Sequence, residues 1–405
     1  MGWAPHPAPG AMTEATLQAL WIASWSVVGA LIGSFGNVVV HRWPRGESVV
    51  RPRSRCPHCR HVLGPLELVP IVSWLVLRAR CRNCGRPISA RYPLVEAAMA
   101  LGFGLLAWAL PVVETGLSAL PLMALYAMLL MAALIDLDTY LLPDGLTITA
   151  AFVALAGAFL YEPGTGLPGP SQALLGAAVG TGVLVLINRI GALVLRRLRD
   201  TKERLWPISL DTVNAAALAG MVGGWWLAFA VGVVQVLGSA AAKRPLRLPE
   251  PVVYGAWLVA LLLVASGVGE LWGIGLVDGI AGSVVGAGAF AFLGAVWWWL
   301  ADWRRNDTRA PAEEAGPPED DDGEPVAMGF GDVKLAAPLG AMLGWEGFLV
   351  GLLLAVLLGA GVGVAQRLAG GSRFVPFGPF MVVGAFLALV VADPLLTWYL
   401  GLLGV

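Results

Sequence analysis

Long apolar runs recur along almost the whole chain and limit what it can fold into. A helix of about 20 residues rises about 30 Å, which matches the hydrocarbon thickness of a bilayer. Of the 405 residues, 58% are apolar and 13% are charged, whereas soluble domains have roughly 25% charged residues. This composition excludes a soluble enzyme, a disordered chain and a small disulfide-stabilised protein. It predicts an all-α polytopic membrane protein.

The apolar runs predict about twelve transmembrane helices. The first, Leu17–Val40, has no basic segment before it and no small-residue cleavage site, so we expect a retained helix rather than a removed signal. The adjacent runs 212–226 and 227–242 could instead form one long helix, as could 332–345 and 346–366. The other expected spans are 93–112, 116–135, 145–161, 172–195, 252–270, 279–300 and 378–399.

The distribution of basic residues predicts the orientation of these helices. Eleven of the chain's 26 basic residues are arginines between positions 41 and 91, a stretch with two acidic residues. Loops rich in Lys and Arg remain in the cytoplasm, so this stretch is expected to be cytoplasmic. Threading twelve spans from it places both termini outside and four other basic clusters inside: Arg196–Arg204, Lys243–Arg247, Arg304–Arg309 and Arg367–Arg373.

Two stretches of the chain resemble each other. Ser209–Trp225 (SLDTVNAAALAGMVGGW) and Phe330–Trp345 (FGDVKLAAPLGAMLGW) share an Asp, Ala-Ala-x-Leu and Gly-Trp if the first has one extra residue. Upstream, 173–186 resembles 280–293. The residues predict a four-helix unit copied in tandem, with a structural first copy that lacks the glycines before its Asp. The alternative is that Gly-rich and Ala-rich helices resemble one another by composition alone.

The four cysteines form two CxxC pairs. They are spaced C-x2-C-x21-C-x2-C, as Cys56, Cys59, Cys81 and Cys84. Two such pairs complete a tetrahedral Cys₄ site for Zn²⁺, which leaves no open position for water and is therefore structural. Stable disulfides are disfavoured in the cytoplasm. The alternatives are reduced thiols or a redox pair.

Two aspartates at the ends of apolar runs are the candidate catalytic residues. Asp136 lies in IDLDTYLLPD, and Asp332 lies in MGFGDVKL. Ionisable groups at membrane depth are costly, and they usually carry function or pair with each other. Two carboxylates at one membrane face could share a proton. The ionised one would then activate water while the neutral one protonates the leaving group or polarises the carbonyl.

Neighbouring residues have expected supporting roles. Gly329 and Gly331 remove side chains beside Asp332 and would let a substrate backbone approach closely. Lys334 could tune the carboxylate pair electrostatically, or it could extend to the lipid headgroups. Asp138 and Asp144 are expected to be interfacial or capping residues.

In combination, these motifs resemble the bacterial type IV prepilin peptidases. The family's two catalytic motifs are an Asp seven residues before a Pro, and GxGD-x-K-L. The matching segments are Gly33–Asn37 through Arg42–Pro44, the double CxxC, Pro70 with Ser73–Leu75, Leu77–Arg78, Ile88–Glu96, Asp136 with Pro143, Gly329–Leu335 and Pro376–Phe380. The resemblance covers about 1–160 and 277–400.

The resemblance implies an integral aspartic protease of the GxGD type in the bacterial inner membrane. It would cleave the basic leader of type IV prepilins and pseudopilins after a Gly, at the cytoplasmic face. Full-length members also methylate the new terminal amine with S-adenosylmethionine. The implied catalytic pair is Asp136 and Asp332, and the four cysteines are the implied zinc ligands. The expected partners are prepilins and the lipid bilayer, with no nucleic acid.

The chain departs from the family in having about 161–276 as extra sequence, which coincides with the duplicated unit. A different class of function is a non-enzymatic membrane scaffold or transporter that uses the aspartates as ion sites. A third interpretation is a protease that has lost methylation, which the sequence does not distinguish from the first.

The expected organisation has five parts. They are the first transmembrane helix (17–40), the cytoplasmic Cys₄ domain (41–91), the helices with Asp136 (92–161), the extra four-helix unit (162–276) and the helices with the GxGD motif (277–405). The last part includes an acidic loop rich in Pro and Ala (306–326), whose composition is typical of disorder.

Overall fold

The computed structural model describes residues 14–110, 119–161, 166–194, 207–305, 329–370 and 375–403. The acidic loop 306–326 and the basic cluster Arg196–Arg204 lie outside the described residues. The described part is helical, and its extended pairing consists of two isolated bridges, Arg55–Val62 and Arg80–Pro87. The prediction of an all-α chain is confirmed.

The α-helices of the described part are numbered in chain order. They are α1 (Glu14–Arg42), α2 (Val72–Val76), α3 (Arg91–Ala109), α4 (Leu120–Thr139), α5 (Asp144–Gly157), α6 (Pro170–Val194), α7 (Leu210–Ala242), α8 (Glu250–Ala265), α9 (Leu276–Arg305), α10 (Phe330–Leu368) and α11 (Gly378–Leu403). Short 3₁₀ helices span Trp43–Arg45, Pro65–Leu68 and Val268–Trp272.

The prediction of about twelve spans is not confirmed. Within the described residues, eight helices are long and apolar enough to cross a membrane. The expected pairs 212–226/227–242 and 332–345/346–366 correspond to α7 and α10, each of which consists of two helical segments joined at a break in the helical backbone. The runs at 145–161 and 252–270 become α5 and α8, of 14 and 16 residues. At 1.5 Å per residue, these are shorter than the roughly 30 Å hydrocarbon core.

The chain divides into two compact units, Met1–Met131 and Ala132–Val405, and the division falls within α4. In the first unit, α1 packs against α3 through small residues. A Cβ on Gly29 would lie 2.7 Å from the Met99 carbonyl oxygen, and one on Gly33 would lie 2.8 Å from the Glu96 Cα. Small residues allow this close backbone approach, as is common between membrane helices.

In the second unit, glycines interrupt both α7 and α10. Gly224 has φ 68° and ψ −170°, and Gly344 has φ 71° and ψ 175°. A positive φ favours glycine because it has no Cβ. The two breaks explain why each element could be read from the sequence either as two spans or as one.

The helical register of α7 and α10 corrects the sequence alignment. The N-cap residues are Ser209 and Gly329, and each break lies fifteen residues later. The two stretches therefore align without an extra residue. In this register Thr212, and not Asp211, occupies the position that corresponds to Asp332.

The helices around the two similar stretches pack crosswise. The helix before each broken element packs against the other broken element, so α6 contacts α10 and α9 contacts α7. Glycines at corresponding positions make both crossings: Gly176 meets Gly340 and Gly180 meets Ala336, while Gly282 meets Gly220 and Gly286 meets Ala216.

The contact between α6 and α9 has the same symmetry. Gly182 meets the Val284 carbonyl, and Gly288 meets the Ala178 carbonyl. Positions 178 and 182 of α6 correspond to positions 284 and 288 of α9, each 106 residues later. The second contact is therefore the first with the two helices interchanged. This is the relation of a two-fold axis between the two helices.

The close contact at Gly176 generates a stability prediction. We expect Gly176→Ala to lower the free energy of unfolding by about 1–3 kcal/mol, because the new methyl group would collide with the Gly340 backbone. The matched control is Gly255→Ala in α8, where nothing lies within 4 Å of a Cβ. Thermal unfolding of purified protein in detergent measures both. Equal midpoints for the two variants would contradict the packing described here.

Candidate active site

Asp136 lies near the end of α4, and its side chain is buried within the second unit. Its residue exposure is 5%. The backbone N–H of Gly378, the first residue of α11, donates a hydrogen bond of 3.1 Å to its Oδ2. A Cβ on Gly378 would lie 2.6 Å from that same oxygen. The absence of a side chain at Gly378 therefore allows α11 to begin against the carboxylate.

Asp332 lies in the first turn of α10 and is 9% exposed. One side chain connects the surroundings of the two carboxylates, because Leu142 lies against both Gly378, the partner of Asp136, and Gly331, the residue before Asp332. The structure therefore places Asp136 and Asp332 on different helices around the same Leu142 side chain. Among the described residues, no side-chain or backbone group donates a hydrogen bond to the Asp332 carboxylate. The two aspartates therefore occupy different environments, one with a hydrogen-bond donor and one without.

The two glycines before Asp332 differ in what surrounds them. A Cβ on Gly331 would lie 3.0 Å from the Leu142 Cβ, so this glycine allows α10 to pack against the segment that follows Asp136. Gly329 has φ −69° and ψ 145°, a conformation open to any residue, and the nearest atoms to its Cβ position are 4.0 Å away. One of those atoms is the Asp332 Oδ2, so Gly329 leaves space beside the carboxylate.

Lys334 is paired with Asp144. Its Nζ lies 2.6 Å from the Asp144 Oδ1, and the two side chains are 18% and 25% exposed. Lys334 also lies over the Phe330 ring, 5.8 Å from the centroid. Asp144 is the first residue of α5. It was expected to be an interfacial or capping residue, and the structure pairs it with a cation.

Sequence reasoning missed the roles of Gly378 and Asp144. Gly378 lies in the Pro-Phe-Gly-Pro-Phe segment, which was noted only as part of the family resemblance. Asp144 directly follows the Pro that defines the first catalytic motif. Both residues are adjacent to motif positions, which is the signal that could have found them.

Asp211 lies outside this arrangement. Its Oδ1 accepts a hydrogen bond of 3.1 Å from the backbone N–H of Leu248, just before α8. The residue in register with Asp332 is Thr212, which is fully buried and bonds to its N-cap, Ser209. The α7 copy therefore has no carboxylate at the corresponding position.

The four cysteines converge in the first unit. All their sulfur atoms lie within 4.8 Å of one another, so the cluster could hold a metal ion. The Cys56–Cys84 and Cys59–Cys81 sulfur atoms are 4.0 and 3.9 Å apart. Cys56 and Cys81 are buried, and Cys84 is exposed.

The two CxxC turns are built alike. Cys56 N–H donates to the His61 carbonyl and Cys81 N–H donates to the Arg86 carbonyl, each at 2.9 Å. Asn83 Nδ2 donates to the Cys59 sulfur at 3.6 Å. This hydrogen bond, with one from the His61 backbone, holds the pKa of Cys59 below its usual value and favours the thiolate that a metal binds.

Two models of known protein families match this chain. A family model described as the type IV leader peptidase family matches residues 123–240 and again 244–364, together more than half of the chain. The chain belongs to the type IV leader peptidase family. A model of the bacterial peptidase A24 N-terminal domain matches residues 27–110, which include the four cysteines.

Several relatives of this chain are named as leader peptidases. A protein of Aeromonas hydrophila named prepilin leader peptidase/N-methyltransferase is 28% identical over 91% of this chain and 90% of its own. One of the same name from Myxococcus xanthus is 42% identical over 42% of this chain and 49% of its own. A type 4 prepilin-like proteins leader peptide-processing enzyme of Escherichia coli is 37% identical over 49% and 76%. No solved structure gave a significant match.

The two matches of the family model divide the carboxylate pair between them. Asp136 falls within the first match and Asp332 within the second. The two halves of this leader peptidase chain therefore each supply one member of the carboxylate pair.

The contact at Gly378 generates a prediction for activity. We expect Gly378→Ala to lower the rate of leader cleavage by about 100-fold, because a Cβ 2.6 Å from the Asp136 Oδ2 forces the carboxylate or α11 to move. A control is Gly361→Ala in α10, where nothing lies within 4 Å of the Cβ position. Cleavage of a prepilin in detergent measures both. A Gly378→Ala protein as fast as the control would show that the carboxylate tolerates displacement.

Proposed function

We propose that this protein is a prepilin leader peptidase. It cleaves the leader of type IV prepilins or pseudopilins after a Gly, at the cytoplasmic face of the bacterial inner membrane. The observation that carries the proposal is the pair of buried carboxylates, Asp136 and Asp332, on two helices of one unit. The Leu142 side chain packs against both Gly378, which is bonded to Asp136, and Gly331, which precedes Asp332. The named relatives support the choice of substrate.

The two environments suggest how the pair divides the chemistry. Asp136 receives the Gly378 N–H and is the carboxylate form, while Asp332 carries the shared proton. Asp136 takes a proton from water as the water oxygen attacks the carbonyl carbon of the scissile bond. Asp332 gives its proton to the carbonyl oxygen. The C–N bond then breaks as the leaving amine takes the proton from Asp136, and one hydroxyl of the tetrahedral intermediate returns its proton to Asp332, which leaves a carboxylic acid and restores the starting pair.

The space beside Asp332 is where the proposal locates the substrate. Gly329 and Gly331 present no side chain at the start of α10, and Gly329 leaves its Cβ position open. A scissile Gly in the substrate would remove a further side chain from this contact. Supporting roles at this end of α10 are assigned to Gly329, Gly331 and Lys334.

The proposed second activity is methylation of the new terminal amine. S-adenosylmethionine, when bound, would supply the methyl group for this amine. The names of the relatives support this activity. No residue of this chain is assigned to it.

We propose zinc as the metal of the cysteine cluster. A tetrahedral Zn²⁺ with bonds of about 2.3 Å places its sulfur ligands about 3.8 Å apart. The observed separations of 3.9 and 4.0 Å fit this value. Four cysteine ligands leave no position for water, so the zinc would stabilise the 41–91 segment and take no part in hydrolysis.

The proposed orientation rests on charge. The segment 41–91 contains 11 arginines, and positively charged loops remain in the cytoplasm. The alternative of a non-enzymatic scaffold or transporter is not favoured, because the family model and the named relatives describe peptidases.

The catalytic assignment is tested by neutral variants of each carboxylate. We expect Asp136→Asn and Asp332→Asn each to lower cleavage by at least about 1,000-fold, because each removes one half of the proton exchange. Both proteins should still insert into the membrane. The matched control is Asp211→Asn, which lies at the corresponding end of α7 and should cleave near the wild-type rate. Cleavage by either of the first two variants would overturn the assignment.

Metal content tests the zinc proposal. We expect Cys81→Ser to lose the bound zinc, because it removes a buried ligand. Asn83→Ala keeps all four ligands, so the purified protein should still contain zinc. It removes the hydrogen bond to the Cys59 sulfur, so its affinity for zinc should be lower than that of the wild type. Elemental analysis of the purified proteins measures both. Wild-type protein that contains no metal after expression in zinc-supplemented medium would refute the proposal.

A further inference from the structure

We propose that Asp144 and Lys334 are positioning residues, and that their ion pair holds Asp332 against Asp136. This inference rests on the proposed function, because it assigns a role within the same cleavage reaction. The pair joins the first residue of α5 to the first turns of α10, across 190 positions of the chain. No other side-chain ion pair or hydrogen bond in the described part of the chain links these two helices.

The pair lies close in sequence to both carboxylates. Lys334 follows Asp332 by two residues, and Asp144 follows Asp136 by eight. The connection from Asp136 to Asp144 is short and is anchored at its start, where Tyr140 N–H donates to the Asp136 carbonyl at 2.8 Å. Only three residues, 141–143, separate this bonded end of α4 from Asp144, so the position of Asp144 limits where the end of α4 can lie.

The segment between the two aspartates also packs on α10. Leu142 lies against Gly331, and a Cβ added to Gly331 would be 3.0 Å from the Leu142 Cβ. This apolar contact and the ion pair lie on either side of Asp332, at positions 331 and 334. Together they fix the first turn of α10 relative to the segment that follows Asp136.

The ion pair indicates that Lys334 acts by positioning α10 and not by the effect of its charge on Asp136 and Asp332. The Lys334 Nζ is 2.6 Å from the Asp144 Oδ1, and both side chains are about four-fifths buried. A carboxylate at this distance neutralises most of the field that the ammonium group would exert on the Asp136–Asp332 pair. Lys334 acts through the position of its helix, and Asp144 is as necessary as Lys334.

Four variants test the proposal: Asp144→Asn, Lys334→Met, the double variant that combines them, and Lys334→Arg. We expect each single variant to lower kcat by about 10- to 100-fold with KM within about threefold, because misplacement affects the transition state more than substrate binding. The double variant should be no slower than the slower single variant, since both changes break the same contact. Lys334→Arg keeps the ion pair and should stay within about threefold of wild type.

The double variant also guards against misfolding. Removal of one partner leaves a buried unpaired charge, whereas removal of both does not. The double variant should therefore reach the membrane in normal amounts and still cleave slowly. Asp393→Asn, an exposed change at the other end of α11, is the control for expression and assay.

Several outcomes would overturn the proposal. One is a slow Lys334→Met protein beside an Asp144→Asn protein as fast as wild type. Another is a shift of the acid limb of the pH–rate profile in opposite directions by the two single variants, because that would show a direct effect of the Lys334 charge. Wild-type protein that fails to cleave prepilin in this assay would instead refute the proposed function itself.

Discussion

The structure depends on bringing two acidic side chains together in an apolar environment. Burial of a carboxylate is costly, and burial of two that repel each other costs more. Asp136 and Asp332 come from helices almost 200 residues apart in sequence, so packing must hold them in place. The Gly378 N–H, the Leu142–Gly331 contact and the Asp144–Lys334 pair are arranged around them. Each of these features has a separate physical basis: a backbone dipole, close apolar packing and a neutralised charge.

The second unit contains one packing arrangement twice. The α6–α10 and α7–α9 crossings use glycines at corresponding positions. Helix α10, which carries Asp332, packs against α6, while α7 packs against α9. The second crossing has Thr212 at the position of Asp332, so of these two crossings only the first has a carboxylate there.

The sequence predicted those features whose residues lie close together or belong to a dense motif. The two CxxC pairs have the spacing of a Cys₄ site, and GxGD marks Asp332 within a few residues. The Lys334 partner could not be read in this way, because Asp144 lies 190 positions away. The crosswise packing could not be predicted either. The glycines of α6 and α9 lie at corresponding positions, so the sequence does not indicate which of the two packs against α10. The span count was not confirmed, because apolar length does not distinguish a glycine break, as at Gly224 and Gly344, from a loop.

A cross-linking measurement on the intact protein in membranes tests the central claim most directly. The double variant Asp136→Cys/Asp332→Cys would be treated with a short bis-maleimide and digested, and the linked peptides identified by mass spectrometry. The account predicts efficient linkage between positions 136 and 332. It predicts none in Asp136→Cys/Asp393→Cys, because position 393 lies about 22 Å along α11 from Gly378. Equal linkage in both proteins, or none at 136 and 332, would contradict the account.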